Sequence, residues 1–502
     1  MGLNTQKIPN RAAILLIAYV ALSGVIRART KPFWCDEVIT VELAKQPTLS
    51  AIWNAVKHAA DSHPPLFYVL ERLAGSLPLN EHIAFRLPSI LAFCCIVLCI
   101  FLFIRKARGN ACAVICAAIP LTSLLSDPYA VEARGYSLMA GFAALAMVSY
   151  QRADKVAFCA LMGISLAAAG ASHYYAIFAT IPFALAEFVL VARVRRLRFG
   201  VWLALLVGAL PLVVFWPLLQ NLKKYYGSHL MGNLSLDEAV KSYGWFFNLP
   251  ASVGVGMAAT ALAAVLIYGL LRRRGSVADN LNEIPVQEHI LALGFLILPV
   301  VMYLAIRVLH GEFSSRYLLL TALGFPLAAS YVLPVLDRRL LVLFSVLLLA
   351  TLCAQEAVFW RFQLHSLGKK TSPAEGVEQL VKAAGFEDLP VVVSDPIAYL
   401  QLVYYASPAA GHRLIFLSDV PGAILYAGSD SADKCLLALR PYLPLQVYDF
   451  TEFARNHPEF LVYSDSKPKW DWWPTRLLHD GYTLNLVAIN EGNRIYVVNR
   501  KH

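Results

Sequence analysis

Long apolar runs separated by short polar connections occupy residues 1–360. They read Ala12–Ile26, Ile83–Ile104, Ala111–Leu125, Tyr136–Tyr150, Val156–Ala171, Tyr174–Ala192, Phe199–Leu219, Ala251–Leu271, His289–Val308, Tyr317–Val335 and Leu340–Trp360, eleven in all. A helix crosses hydrocarbon with about 17 to 25 apolar residues, and lipid offers its backbone no partner outside the helix. The pattern predicts an all-α polytopic membrane domain of about eleven transmembrane helices over 1–360.

The connections are unequal. Arg27–His82, a long first outer loop at 27–82, far exceeds the roughly 2 to 8 residues that join packed helices. Within it, Pro47–Ala60 sets Ile52, Trp53 and Val56 on one helical side and Asn54, Lys57 and His58 on the other. Pro64–Leu77 opens on two prolines, which suit a helix start, and carries Phe67, Leu70 and Leu73. Both stretches predict helices lying along the membrane interface. A second long loop is Gln220–Pro250.

Residues 361–502 contain no spanning run. Ser372-Pro373-Ala374-Glu375 is a capping box that opens a helix through about Ala384. Strand-like runs at Pro390–Ser394, Leu400–Ala406, Leu414–Leu417, Phe460–Tyr463, Thr483–Ile489 and Arg494–Val498 alternate with helical patterns at Ala432–Leu439 and Thr451–Arg455. This predicts a small C-terminal α/β domain, outside the membrane because an odd number of spans precedes it. Trp470-Asp471-Trp472-Trp473 offers faces for a sugar, though core packing is the plainer reading.

Composition agrees: 58% of residues are hydrophobic and 15% charged, against about 25% charged in a soluble domain. The net charge of +10 would suit nucleic acid until the charges are placed. Alternate connections are basic: Arg105-Lys106-Ala107-Arg108, Arg152 with Lys155, Arg193 with Arg195, Arg196 and Arg198, Arg272-Arg273-Arg274, and Arg338-Arg339. The positive-inside rule puts these and the N-terminus in the cytoplasm. Arg27, Arg29 and Lys31 violate it, and five concordant loops outweigh them. The charge is topological, with no nucleic-acid partner. The first run lacks a clear small-x-small cleavage site and reads as a retained helix. Of the nine cysteines only Cys35 and Cys435 fall outside. They could pair in an oxidising compartment, but isolated thiols are the plainer reading.

The outer ends of the runs collect Asp36, Glu37, Asp61, His63, Arg86, Asp127, Glu132, Arg134, His173, Tyr174, Tyr175 and Arg316, while the inner ends carry only positive charge. A one-sided mixture of acids and bases predicts an outward-facing cavity at membrane level. Asp36-Glu37, behind the interfacial pair Phe33-Trp34, could cap a helix, deprotonate a hydroxyl or bind a divalent ion. His63 is a ligand, a hydrogen-bonding group or a cap for the helix after it. Glu132 and Arg134 form either a charge network or a helix anchor. His173 sits in a tight turn whose tyrosines are ordinary interfacial belt. Arg86 and Arg316 can snorkel or grip a phosphate with a planar fork. No Walker A loop, Rossmann glycine pattern or zinc-type spacing is placed to act. A transporter or flippase of lipid-linked glycans would also need such a cavity, yet no pair of short broken helices marks a midplane site.

Asp36-Glu37, His63-Pro64-Pro65-Leu66-Phe67-Tyr68, Phe85-Arg86-Leu87-Pro88-Ser89, Glu132-Ala133-Arg134-Gly135-Tyr136 and Ser315-Arg316-Tyr317-Leu318 follow one another in this order. Together they resemble the bacterial GT-C membrane glycosyltransferases, in the group related to protein O-mannosyltransferases and lipid A aminoarabinose transferases. The resemblance covers roughly Trp34 to Leu320. It implies a multi-pass enzyme of the bacterial inner membrane that takes a sugar from a polyprenyl-phosphate donor. The sugar passes, typically with inversion, to a lipid, glycan or protein acceptor on the outer face. It implies Asp36 as the base, Glu37 in support and Arg316 at the lipid phosphate. His63, Arg86, Glu132, Arg134, His173 and Tyr317 are the remaining candidate substrate contacts. Metal need stays open: the related oligosaccharyltransferases bind a divalent metal, and the protein O-mannosyltransferases are not thought to need one. Sugar and acceptor stay open too.

Overall fold

The structure, a computed structural model, describes residues 7–123, 126–195, 197–227, 235–273, 284–309, 314–366, 373–383, 385–386, 388–464, 470–490 and 492–500. The chain divides into two compact units. One comprises Met1–Lys31, His63–Trp216 and Gly232–Phe362; the other Pro32–Ser62, Pro217–Met231 and Gln363–His502. One division falls beside the expected boundary at 360. The long first outer loop, however, is not a single piece: its first half, with the acid pair, belongs with the C-terminal domain.

The first unit is helical. Among the described residues seven helices are long and apolar enough to cross a membrane, or eight with the bent pair Phe199–Val214 and Trp216–Tyr226. Tyr136–Tyr150 and Val156–Ser172 are apolar but shorter. Leu15, Leu22, Leu203, Leu206, Leu347 and Leu349 stand exposed on these helices, as a lipid-facing surface requires. The segment Glu81–Thr122 has 42 residues, far more than one crossing uses. It breaks at Gly109 (φ 76°), directly after Arg105-Lys106-Ala107-Arg108. Only glycine takes this conformation without strain. The basic turn expected there is thus a kink at which two helices meet directly, with no longer loop between them. Tyr317–Val335 is also irregular: 3₁₀ turns at Ser315–Leu323 and Leu333–Val335 flank an α-helix at Gly324–Val332. A Cβ at Gly324 would lie 2.8 Å from the Leu296 nitrogen, so the glycine permits a close helix crossing.

Two charges inside this unit illustrate pairing. Arg27, an apparent violation of the charge rule, meets Glu356 at 2.8 Å and lies 4.1 Å from the Phe359 ring centroid. Its charge is answered by an acid on the last span. Glu187, with no exposure, accepts from Arg198 and from the Tyr150 hydroxyl. Pairing of this kind is what makes a buried carboxylate tolerable.

The second unit contains a six-stranded sheet of order β3-β2-β1-β4-β6-β5. Strands β1 (Val391–Val393), β2 (Leu414–Ser418), β3 (Val447–Asp449) and β4 (Glu459–Ser464) are parallel. The hairpin β5 (Tyr482–Asn490) and β6 (Asn493–Arg500) adds antiparallel strands at β4. The expected strands at 390–394, 414–417, 460–463, 483–489 and 494–498 are present. Leu400–Ala406 corrects the expectation, because Pro396–Tyr405 is a helix. The Asp395 carboxylate accepts from the backbone N–H of Ile397 and Ala398, and Pro396 takes the first helical position. That start overrides the β preference of Val403, Tyr404 and Tyr405. The expected helix after Ser372 runs Pro373–Ala383, Ser372 itself lying outside the described residues. Trp472 and Trp473 are buried in the sheet core with Phe450 and Phe460. The segment Pro32–Ser62 forms helices Cys35–Ala44 and Leu49–Lys57, the latter capped by Thr48. Among the described residues no cysteine forms a disulfide, Cys35 and Cys435 included.

Candidate functional site

Residues from five stretches that are far apart in sequence meet at one end of the first unit's helices. Helix Pro65–Gly75 starts just after His63 and supplies Phe67, whose ring centroid lies 4.9 Å from that of His63. The His63 ring also meets His173 edge-on at 5.0 Å and Tyr136 at 5.8 Å. His173 in turn contacts Tyr136 at 5.2 Å, Tyr317 at 5.5 Å and Tyr175 at 5.7 Å. Tyr175 and Tyr317 stack at 4.2 Å. The Arg316 guanidinium stands 5.9 Å from the Tyr136 ring and 5.8 Å from that of Tyr317. Both distances lie within cation–π reach.

Local geometry explains how such residues come together. Helix Val156–Ser172 ends at His173, which is extended (φ −157°, ψ 128°). Its Nδ1 accepts from the Tyr175 backbone N–H at 3.2 Å, starting the 3₁₀ turn Tyr174–Ala179. With Nδ1 accepting, the neutral ring carries its proton on Nε2, away from its own turn. Gly135 lets the chains close. A Cβ there would lie 2.6 Å from the Ser172 carbonyl and 2.9 Å from Cδ2 of His63. Ser89 ties two further motifs by donating to the carbonyl of Glu132 at 2.5 Å. Glu132 and Arg134 are themselves buried in this turn.

Arg86 behaves differently. It is fully buried, and its Nη1 donates to the carbonyls of Ala28 at 2.7 Å and Lys31 at 2.5 Å. These are carbonyls at the end of helix Lys7–Thr30, where intrahelical donors run out. The geometry favours a clamp on that helix end over a substrate contact.

The acid pair lies in the second unit. Asp36 and Glu37 occupy the first turn of Cys35–Ala44, where negative charge suits the helix dipole. Neither is the cap, a position that falls to Trp34. Glu37 is fully buried and accepts from the Trp34 backbone N–H at 3.2 Å, so it fixes the helix start. Asp36 is partly exposed, which suits a group that must meet solvent or substrate. Asp61 accepts from the Ser62 N–H at 2.7 Å. The side chain of Asp127 lies outside the described residues.

Tyr136, Tyr175 and Phe67 are members of the cluster that the sequence did not single out. Tyr136 and Phe67 belong to motifs already noted and could have been found there. Tyr175 reads as belt material, yet it stacks inside. Beside the cluster, a cavity of about 490 Å³ is lined almost wholly by apolar side chains, including Leu70, Leu73, Leu87, Leu91, Leu138 and Phe142. Among the described residues no three His, Cys, Asp or Glu side chains are grouped to hold a metal ion.

No family model matches the chain. No curated protein sequence matches it either. Solved structures do match its fold. The oligosaccharyltransferase AglB of Archaeoglobus fulgidus, in complex with an inhibitory peptide and a dolichol-phosphate, aligns with a TM-score of 0.51 at 12% identity. That alignment covers 96% of this chain and 74% of that one. Its apo form gives 0.50 at 12%, covering 94% and 73%. ArnT of Cupriavidus metallidurans in the apo state gives 0.45 at 14%, covering 96% and 97%. The likeness is one of fold: the chain shares with the oligosaccharyltransferase a largely helical architecture, here followed by a small mixed sheet.

Proposed function

We propose that this chain is an integral membrane glycosyltransferase that moves a sugar from a polyprenyl-phosphate donor to an acceptor on the outer face of the membrane. The observation that carries the reading is the convergence of motifs from 63–67, 85–89, 132–136, 173–175 and 315–317 within the first unit. The solved structure of similar fold that holds a dolichol-phosphate adds support for a lipid-phosphate donor.

In the proposed reaction an acceptor hydroxyl oxygen forms a bond to the anomeric carbon while the bond from that carbon to the phosphate oxygen breaks. The acceptor proton passes to Asp36, and Glu37 holds the helix turn that carries it. The departing polyprenyl phosphate gains negative charge, which Arg316 stabilises. His63, His173 and Tyr317 line the sugar, with Glu132 and Arg134 holding the turn behind Tyr136. A single displacement of this kind inverts the anomeric centre. The apolar cavity accommodates polyprenyl chain, since lipid tail and leucine surface are equally dry.

The same reading has all eleven apolar runs crossing the bacterial inner membrane. The short helices and the two halves either side of Gly109 each count as one crossing. The N-terminus is then cytoplasmic and 363–502 is outside.

Single-turnover transfer from a labelled polyprenyl-phosphate sugar, with saturating donor, tests it. Asp36→Asn keeps the shape and removes the proton acceptor, so transfer should fall by about 10²–10⁴-fold while donor binding survives. Glu37→Gln should cost less. Failure of the wild-type protein to consume any such donor would instead favour a transporter. Near-normal transfer by Asp36→Asn would remove Asp36 from the mechanism.

A further inference from the structure

Within the second unit, the residue that leads into the acid-bearing helix is held on both sides by one helix of the C-terminal domain. The Phe33 backbone N–H donates to the Tyr405 hydroxyl at 2.6 Å. The Phe33 carbonyl accepts from Nε2 of Gln401 at 3.0 Å. Gln401 and Tyr405 are four residues apart on the helix Pro396–Tyr405, so they share one face and reach the same point. The Phe33 ring is fully buried and meets Tyr404 of that helix edge-on at 5.9 Å.

We infer that Gln401 and Tyr405 of the C-terminal domain are positioning residues for Asp36. The inference rests on the proposed role of Asp36 as the base. Phe33 precedes Trp34, the cap, and Asp36 is in the first turn. The first N–H groups of a helix have no intrahelical partner, so the turn's placement depends on what holds the chain just before it. Here the Glu37 carboxylate ties Trp34 internally, while Tyr405 and Gln401 tie Phe33 to a rigid element. A side chain three residues beyond a double anchor moves with it. Misplacement of a reacting group by about 1 Å can cost on the order of 10²-fold in rate. The C-terminal domain thus acts in the reaction by fixing where the base stands, without touching substrate.

Other contacts join the same loop to the same domain but lie farther from the acids. Nδ1 of His58 is 3.0 Å from the Tyr442 hydroxyl, which makes Tyr442→Phe a matched control. Tyr405→Phe and Gln401→Leu should each lower single-turnover transfer at saturating donor by about 10-fold, and together by on the order of 10²-fold. Donor affinity, thermal midpoint and the pH of half-maximal rate should stay at wild-type values, since the base is moved and not altered. Tyr442→Phe should leave the turnover unchanged.

The outcomes separate cleanly. Normal turnover in Tyr405→Phe and Gln401→Leu, with Asp36→Asn inactive, would overturn the positioning role and leave the glycosyltransferase reading standing. Active Asp36→Asn would remove that reading and this inference together. An equal loss in Tyr442→Phe, or a loss matched by lower thermal midpoint and donor affinity, would show a general structural contact and overturn the inference. Loss of turnover alone, confined to 401 and 405, is the supporting result.

Discussion

Two side chains show how local chemistry carries testable weight. Arg316 stands near two tyrosine rings, one from its own turn and one from a motif about 180 residues earlier. If it grips a phosphate, the planar fork matters as well as the charge. Arg316→Ala should weaken binding of a polyprenyl-phosphate donor, and Arg316→Lys should recover only part of it, because an ammonium cannot make the bidentate contact. Titration of labelled donor against the purified variants checks this; equal affinity of all three would leave Arg316 an interfacial anchor. Asp433 tests the second unit. Burial pushes its carboxyl up to about 7, opposed by hydrogen bonds from the Asp419 N–H and Ser418 and reinforced by the charges of Asp419 and Asp430. An unfolded aspartate titrates near 3.9. Between about pH 4 and 7 the folded state therefore holds a proton that the unfolded state has lost, and stability falls as pH rises through that window. Asp433→Asn, which can still accept from Asp419, should raise the thermal midpoint above pH 7 and leave it unchanged near pH 4. Melting curves of the full-length protein across that range decide it; identical pH profiles for both proteins would show that Asp433 ionises freely when folded.

Elements were legible where one physical signal dominated. Apolar runs of spanning length became helices because lipid leaves no alternative. Strands β2 and β4 announced themselves by continuous buried apolar residues between polar breaks. Leu400–Ala406 failed because propensity was weighed without its start signal, although Asp395-Pro396 was in plain view. The three-residue strand β3 offers no period to read at all. In the site, His63, His173 and Arg316 were visible as polar residues at span ends and Tyr317 within a motif of the resemblance, and the structure joins them through ring contacts. Arg86 was equally visible, but the donation of its Nη1 to helix-end carbonyls is a use that only tertiary geometry discloses. Tyr175 looks like any interfacial tyrosine until its stacking partner 142 positions later in the numbering is known. The Phe33 anchor lay wholly beyond reach, since neither Gln401 nor Tyr405 carries a motif and the partners are separated by more than 360 residues.

At the scale of the whole molecule the open question is which side each unit faces. The charge pattern argues for a cytoplasmic N-terminus, with five concordant basic connections against Arg27, Arg29 and Lys31. With eleven crossings, the turn at 151–155 and the C-terminal domain fall on opposite sides. Asp154 is exposed in that turn, and the His479 side chain is 76% exposed at the end of a helix in the C-terminal domain. Single cysteines at these positions should therefore respond in opposite ways to a membrane-impermeant maleimide added to intact cells. His479→Cys should label above the background of the native cysteines, and Asp154→Cys should label only after the cells are opened. The reverse pattern would place the C-terminal domain in the cytoplasm. It would bring Asp36 with it, because Pro32–Ser62 belongs to the same compact unit. An outer-face acceptor would then be excluded. Labelling of both positions in intact cells would mean an even number of crossings between them, and the span count itself would have to change.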